Sequence, residues 1–405
     1  MAAVLASVAS VLAASNVSAE LAPLEPYQMV RSLQLVQDRI ADGDHAAIPM
    51  QRKLIELIDE RLRSTNSADY DDKRNYRALL IYAMSGGNPR TVEAIVRGLS
   101  PEGEDAQLSA GILHYLRGNP GEATTSLKDV DPRNVASEVS AFLALVKGSI
   151  AANDDPEQSL VFLDLARVMG PGTLIEEAAL RRSAALTISQ RKPGEFLSIS
   201  EQYVRRFLRS PYASQFADAF VEGVAELQGS IDLDVVADII GAMSLEQGKV
   251  IYLRLARRAA IDQQSELLVF ARHGLEKMAA EVGSESDPRA ILYSTVAAVT
   301  TDDVDAVRAR LEAIDRRRLS AGDRMLLDAA LRIVDEVTSM PAVATHEPMV
   351  NEPAASEHGS TESGSRARTA DARRADDTSA QNAAFVGDVR KQLESIDQML
   401  QETGR

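Results

Sequence analysis

Gly111-Ile112-Leu113-His114-Tyr115-Leu116-Arg117-Gly118-Asn119-Pro120-Gly121-Glu122-Ala123-Thr124-Thr125-Ser126-Leu127, followed by Asp131-Pro132, is the stretch whose reading decides the fold. Apolar helical segments flank the polar turn Gly118-Asn119-Pro120-Gly121, and the small residues Gly111 and Ala123 let two antiparallel helices approach closely. The same order recurs from Tyr76 to Pro211: helical segment, short polar turn, second helical segment, then Pro101, Pro132, Pro171 or Pro211, at gaps of 31, 39 and 40 residues. That is near the period of stacked helix-turn-helix repeats. The next copy has its turn at Asn153-Asp154-Asp155-Pro156, then Ser159, Leu163 and Ala166 before Pro171. Proline is expected to end each second helix, because it lacks an N–H and clashes with the preceding turn. The predicted fold is therefore all-α, a TPR-like solenoid of helical hairpins. An irregular all-α domain whose prolines fall at loop ends by chance is the alternative.

Composition agrees with helices. The 405 residues are 45% hydrophobic but only 4% aromatic, with no tryptophan, which suits a core of Ala, Leu, Ile and Val on helices better than a sheet. Sixty acidic against 44 basic residues give a formal charge of −16, which repels a polyanion and argues against nucleic acid as a partner. Absence of cysteine removes thiolate metal sites and disulfides from consideration.

Ala2 to Ala14 is an uncharged run of Ala, Val, Leu and Ser, followed by Val17-Ser18-Ala19 before Glu20. An apolar core ahead of small residues reads as a secretory signal peptide, residues 1–19, cleaved after Ala19. No Lys or Arg precedes the core, which a start codon assigned too far downstream would explain; a disordered Ala-rich leader or a buried helix is the competing reading. The run is shorter than the ~20 apolar residues that span a bilayer, and no later transmembrane segment is expected.

After the leader, Val30, Leu33, Val36 and Ile40 recur at helical spacing, with Leu35 widening the stripe. Asp42-Gly43-Asp44 breaks this helix, and Pro49 is expected to open a second one carrying Leu54, Ile55, Leu57, Ile58 and Leu62. The pair forms an N-terminal hairpin that would cap the stack. Pro26-Tyr27-Gln28-Met29-Val30-Arg31-Ser32-Leu33-Gln34-Leu35, then Gly43-Asp44-His45-Ala46-Ala47 and Met50-Gln51, resemble the start of the MotC family of periplasmic flagellar motility proteins. The similarity continues through Asn75-Tyr76-Arg77-Ala78-Leu79 and Tyr82-Ala83-Met84-Ser85-Gly86-Gly87-Asn88-Pro89 to about Met340. The resemblance implies a non-enzymatic periplasmic protein required for flagellar rotation, acting on the periplasmic part of the stator protein MotB. Residues alone reach only an exported helical-repeat binding protein. A scaffold for another cell-envelope complex is the alternative.

From Tyr212 to Met340 helices continue: one begins near Ser244, one carries Leu267, Leu268 and Leu275, one starts at Asp287-Pro288, and one carries Val304, Val307, Leu311 and Ile314. Arg316, Arg317 and Arg318 follow that last helix and complement its dipole rather than mark an anion site. Residues 20–340 are thus expected to form one helical repeat domain. Residues 341–381 are rich in Ser, Thr, Ala, charged residues and Pro, which predicts a disordered linker. In 382–405, Phe385, Val389, Leu393, Ile396 and Leu400 line one side of an amphipathic helix. These five are the candidate partner-binding residues. The repeat domain itself, a second copy and a foreign protein all remain possible occupants of that face.

Candidate chemistry reduces to negatives. Gly241 to Lys249 spaces its glycines wrongly for a phosphate loop and has Val250 where Ser or Thr is required. Ser189-Gln190-Arg191-Lys192 lacks the companion motifs of a Ser-x-x-Lys enzyme. His45 is expected to make a local hydrogen bond and His114 to be a satisfied core residue. Glu176-Glu177 and Asp335-Glu336 read as solvated surface. No catalytic, cofactor, metal or small-molecule site is predicted. A murein-cleaving enzyme would need a catalytic domain for which the chain after Met340 is too short and too polar.

Overall fold

The computed structural model describes residues 23–282, 287–298 and 304–339. These are all-helical, with seventeen α-helices, two short 3₁₀ turns and no strand among the described residues. They group into two compact units, 23–179 with 209–211, and 180–208 with the described residues from 212 to 339.

The first unit holds four helical hairpins, α1 (Pro26–Ala41) with α2 (Ala47–Arg63), α3 (Lys73–Met84) with α4 (Pro89–Leu99), α5 (Gly103–Leu116) with α6 (Pro120–Leu127), and α7 (Ser137–Ala151) with α8 (Pro156–Met169). It also takes the start of α9 (Leu174–Ser189), which continues into the second unit and precedes α10 (Pro193–Phe207). In the four hairpins from α3 to α10, Pro89, Pro120, Pro156 and Pro193 each occupy the first turn of the second helix, where a missing N–H costs nothing and φ is already helical. The prolines after each hairpin are less direct. Pro101 and Pro171 follow the caps Ser100 and Gly170, but α6 and α10 have ended several residues before Pro132 and Pro211. Helices stop there because the connector turns away, and proline only prevents continuation.

Three of these turns close alike. Gly86, Gly118 and Arg191 adopt left-handed φ of 90°, 76° and 52°. The N–H that follows reaches back to the helix, Gly87 to Tyr82 O at 3.0 Å, Asn119 to His114 O at 2.9 Å and Lys192 to Thr187 O at 2.9 Å. This closure satisfies end carbonyls that would otherwise lack donors. The α7–α8 turn instead uses the Asp155 side chain, which accepts from Gln158 N at 3.0 Å.

Helix pairs pack through small residues, as the sequence predicts. A Cβ on Gly111 would sit 2.3 Å from Leu127 Cγ, and one on Gly148 would sit 2.8 Å from Leu163. Ser159 donates to Gly148 O at 2.6 Å, and Ser159, Leu163 and Ala166 are all buried. In α1 the buried stripe is Val30, Leu33, Val36 and Ile40, each contributing about 1.5–3 kcal/mol. Leu35 does not widen it; the side chain is 60% exposed. The second helix starts at Ala47, two residues before Pro49. The α1–α2 turn does more than cap an end, since Gly43 lies against Arg209, where a Cβ would be 2.6 Å from Arg209 Cβ.

The second unit contains α10, α11 (Ala213–Glu226), α12 (Leu233–Gly241), α13 (Leu245–Ile261), α14 (Ser265–Val282), α15 (Pro288–Ala298), α16 (Val304–Glu312) and α17 (Ala321–Ser339). Its centre departs from the expected aliphatic core. Tyr203 stacks on Phe216 at 4.0 Å, Phe216 on Phe220 at 5.8 Å and Phe220 on Phe196 at 5.9 Å, and Gly223 leaves room for Phe196. Ser244 caps α13 with a reciprocal Gln247 contact, so the glycine-rich stretch before it is a helix connection. Asp287 caps α15, accepting from Arg289 N at 3.0 Å and pairing with Arg289 at 2.9 Å and with Lys249 of α13 at 3.2 Å. Burial pushes the Asp287 carboxyl up, but the Arg289 and Lys249 contacts outweigh it and hold it down at about 2. Asp315 caps the 3₁₀ turn that contains Arg316, Arg317 and Arg318, with Arg317 returning to Asp315 and Arg316 pairing with Asp328 of α17.

Residues 1–19, the linker 341–381 and the C-terminal segment 382–405 lie outside the described residues.

Two outcomes test this account. Arg191→Gly relieves left-handed strain at an exposed position and is expected to raise unfolding stability by about 0.5–1 kcal/mol in urea denaturation. Because the folded pKa of Asp287 lies below its unfolded value, its contribution is present above about pH 4 and is lost as pH falls through about 2. Asp287→Asn is therefore expected to be less stable than the parent at pH 6, with the difference shrinking at pH 2.5.

Candidate functional site

The strings that carry the family resemblance sit at joints between helices. Asn75 is buried and accepts from Tyr27 N at 3.2 Å while donating to Glu25 Oε2 at 3.1 Å and Asp69 O at 2.7 Å, which pins the start of α1 to α3. Tyr76 donates to Asp105 O at 3.0 Å, reaching α5. In Tyr82 to Pro89, Gly86 makes the left-handed turn and Gly87 lies against the Tyr82 ring. Asn88 accepts from Arg90 N at 3.0 Å, capping α4, and its own N–H donates to Tyr82 Oη at 2.9 Å. Tyr82 Oη donates in turn to buried Asp59 of α2 at 2.8 Å, and Arg63 closes the group through Asp59 and Thr91. Burial pushes Asp59 up, yet its bonds with Thr91 and Tyr82 and the Arg63 charge leave it below the usual carboxylate range. Each polar group here satisfies another, so the motif is a fastening of α2, α3 and α4.

The remaining candidates behave differently from expectation in three places. Glu176 and Glu177 are buried, not solvated, because the start of α9 turns inward; Glu176 accepts from Gly172 N at 2.6 Å. His45 bonds Arg209 O at 3.1 Å, a partner 164 residues away, where a local one was predicted. His114 is half-buried, but its Nδ1 has no hydrogen-bond partner. Asp335 is exposed as expected and pairs with Arg308. Among the described residues no group of three or more His, Asp or Glu is placed to hold a metal ion, and no helix is long and apolar enough to cross a membrane. The predicted partner-binding residues Phe385, Val389, Leu393, Ile396 and Leu400 lie outside the described residues.

What the first unit does present is surface grooves. One of 260 Å³ runs between Leu35 and Asp38 of α1 and Phe142 and Leu174, and one of 320 Å³ lies between Tyr70 and the α4 residues Ile95 and Leu99. A third, of 470 Å³, is walled by Val161, Phe162, Leu165 and Val168 of α8, with Gln158 and Asp164 at its edge, and by the α6–α7 connector from Lys128 to Arg133. Val161, Leu165 and Val168 are four and three residues apart and so share one helix face, with Val161 60% and Val168 66% exposed.

Lys147 of α7 forms the floor of this groove and is only 8% exposed. Its Nζ donates to Leu127 O at 2.8 Å and Val130 O at 2.7 Å, closing the C-terminal end of α6, and lies 4.7 Å from the centre of the Phe162 ring. Burial lowers its pKa, with Asp131 and Asp129 opposing from a distance. Asp131 is engaged by Arg133, whose hydrogen bonds hold it down at about 2. Sequence reasoning missed this lysine; its one signal was a charge within the otherwise apolar run Phe142 to Gly148.

A family profile described as "Chemotaxis protein MotC" matches residues 1–405. A Rhizobium meliloti (strain 1021) protein named Chemotaxis protein MotC is 38% identical over 343 residues, 82% of this chain and 79% of that protein. No solved structure matches. The chain therefore belongs to the MotC family.

Lys147→Met is expected to lower stability by about 1–3 kcal/mol, since it strips donors from two buried carbonyls. Val161→Ala with Val168→Ala should stay within about 0.5 kcal/mol of the parent, as both side chains face solvent. Denaturant unfolding of the variants measures both.

Proposed function

From membership of the MotC family, with its motility and chemotaxis role, we propose that this protein is a periplasmic factor required for flagellar rotation, binding the periplasmic part of the stator protein MotB without chemistry of its own. The observation that carries this reading is the family match over the whole length together with the 38% identical relative. The apolar leader 1–19, with cleavage after Ala19, supplies the export route. Helical hairpins offer a broad side-chain surface, and a ligand acting on a stator shifts its conformations only by binding one better than another. The 20–340 region would make that contact, with 341–381 as a tether and the apolar face of Phe385, Val389, Leu393, Ile396 and Leu400 as a second point of attachment.

A strain lacking the protein is expected to build full-length filaments that do not rotate, seen by tethered-cell microscopy. Missing filaments would assign it to assembly instead. The purified protein should bind the periplasmic fragment of MotB, and deletion of 382–405 should weaken both this binding and swimming; unchanged values would remove the C-terminal segment from the contact.

A further inference from the structure

The α8 groove combines two features that its structural role leaves unused. Its wall is a helix face whose apolar part, Val161, Leu165 and Val168 with Phe162 beside them, is open to solvent, edged by Gln158 and by Asp164, which pairs with Arg167. Its floor is a buried ammonium that makes two hydrogen bonds, to Leu127 O and Val130 O, and lies 4.7 Å from the centre of the Phe162 ring, so its third N–H meets at most a ring face and not an oxygen acceptor. No carboxylate pairs with Lys147 directly: Asp131 is turned to Arg133, and Asp129 acts only through space. A buried charge is stabilised most by an opposite charge that also accepts a hydrogen bond, and the side from which such a group can arrive is the groove itself.

We propose that the α8 groove is a recognition site for an apolar partner segment carrying a carboxylate, whose apolar side chains lie along Val161, Leu165 and Val168 and whose carboxylate accepts the third N–H of Lys147. The segment fits as a helix with apolar residues at i, i+4 and i+7 and one acidic residue on the same side, since that spacing mirrors the α8 face. Charge sets which segment enters, because an uncharged one would cover the ammonium without bringing it an opposite charge. This deepens the partner-binding reading above by assigning it a surface and a ligand chemistry.

The native chain has no cysteine, so a single Val161→Cys site can carry an environment-sensitive dye. The probe is a synthetic amphipathic helix with leucines at i, i+4 and i+7 and one flanking glutamate, compared with its glutamine twin. The glutamate peptide is expected to bind at least tenfold more tightly; equal affinities, or no binding by either, would overturn the assignment. In cells, Val161→Glu with Val168→Glu should abolish swimming at unchanged protein level and unchanged unfolding midpoint, whereas Val269→Glu, at an exposed apolar position of the second unit, should not. Normal swimming by the double variant would also overturn it. If the stator fragment binds parent and double variant equally, the groove assignment falls and the stator reading stands. If the double variant loses swimming but the parent does not bind the fragment, the groove stands and the stator reading falls.

Discussion

The turn inside each hairpin is the constraint on which the architecture depends. A left-handed residue at Gly86, Gly118 or Arg191 reverses the chain, the next N–H seals the helix just finished, and a proline at the first turn of the following helix fixes its φ. Two antiparallel helices are then held at a separation set by their facing side chains. Where the separation is smallest, glycine is needed: Gly111 against Leu127 and Gly148 against Leu163 leave no room for a Cβ. In α5–α6 the left-handed turn and the close crossing act together, while in α7–α8 the Asp155 side chain closes the turn and Gly148 admits the crossing.

Stacking the hairpins needs polar fastenings as well as apolar area. Asn75 ties α1 to α3, the Asp59–Tyr82–Asn88 chain ties α2 to α3 and α4, and Lys147 ties the end of α6 to α7. In the second unit, Asp287 with Lys249 joins α13 to α15, and Tyr293, donating to Asp323 at 2.7 Å, joins α15 to α17. Each buried polar group costs free energy unless partnered, so these contacts penalise misaligned stacking more than they add net stability. That gives a physical reason for the strings that resemble the MotC family to contain Asn75, Tyr76, Tyr82, Gly86, Gly87 and Asn88: they are joints.

The contact function proposed above would draw on surfaces. The helices bury their stripes against neighbours, yet α8 keeps Val161 and Val168 toward solvent beside a buried lysine. If the proposed contact function holds, this is the kind of surface it would use: apolar enough to gain from burial, polar enough at one point to select its ligand.

By itself the sequence determined the helical class, the hairpin order from Tyr76 to Pro211 and the small-residue contacts at Gly111, Ser159 and Ala166, because helical periodicity and turn chemistry are local. It also carried the family, through strings too long to arise by chance. Only the tertiary structure decided that Leu35 faces solvent while Glu176 and Glu177 face inward, that His45 meets Arg209, and that Tyr203, Phe216, Phe220 and Phe196 form one aromatic column. These outcomes depend on which helix lies across each face, and residues far apart in the chain settle that. The same holds for Lys147: a charge within an apolar run says that something must satisfy it, but the carbonyls of Leu127 and Val130 come within reach only once α6 and α7 have packed.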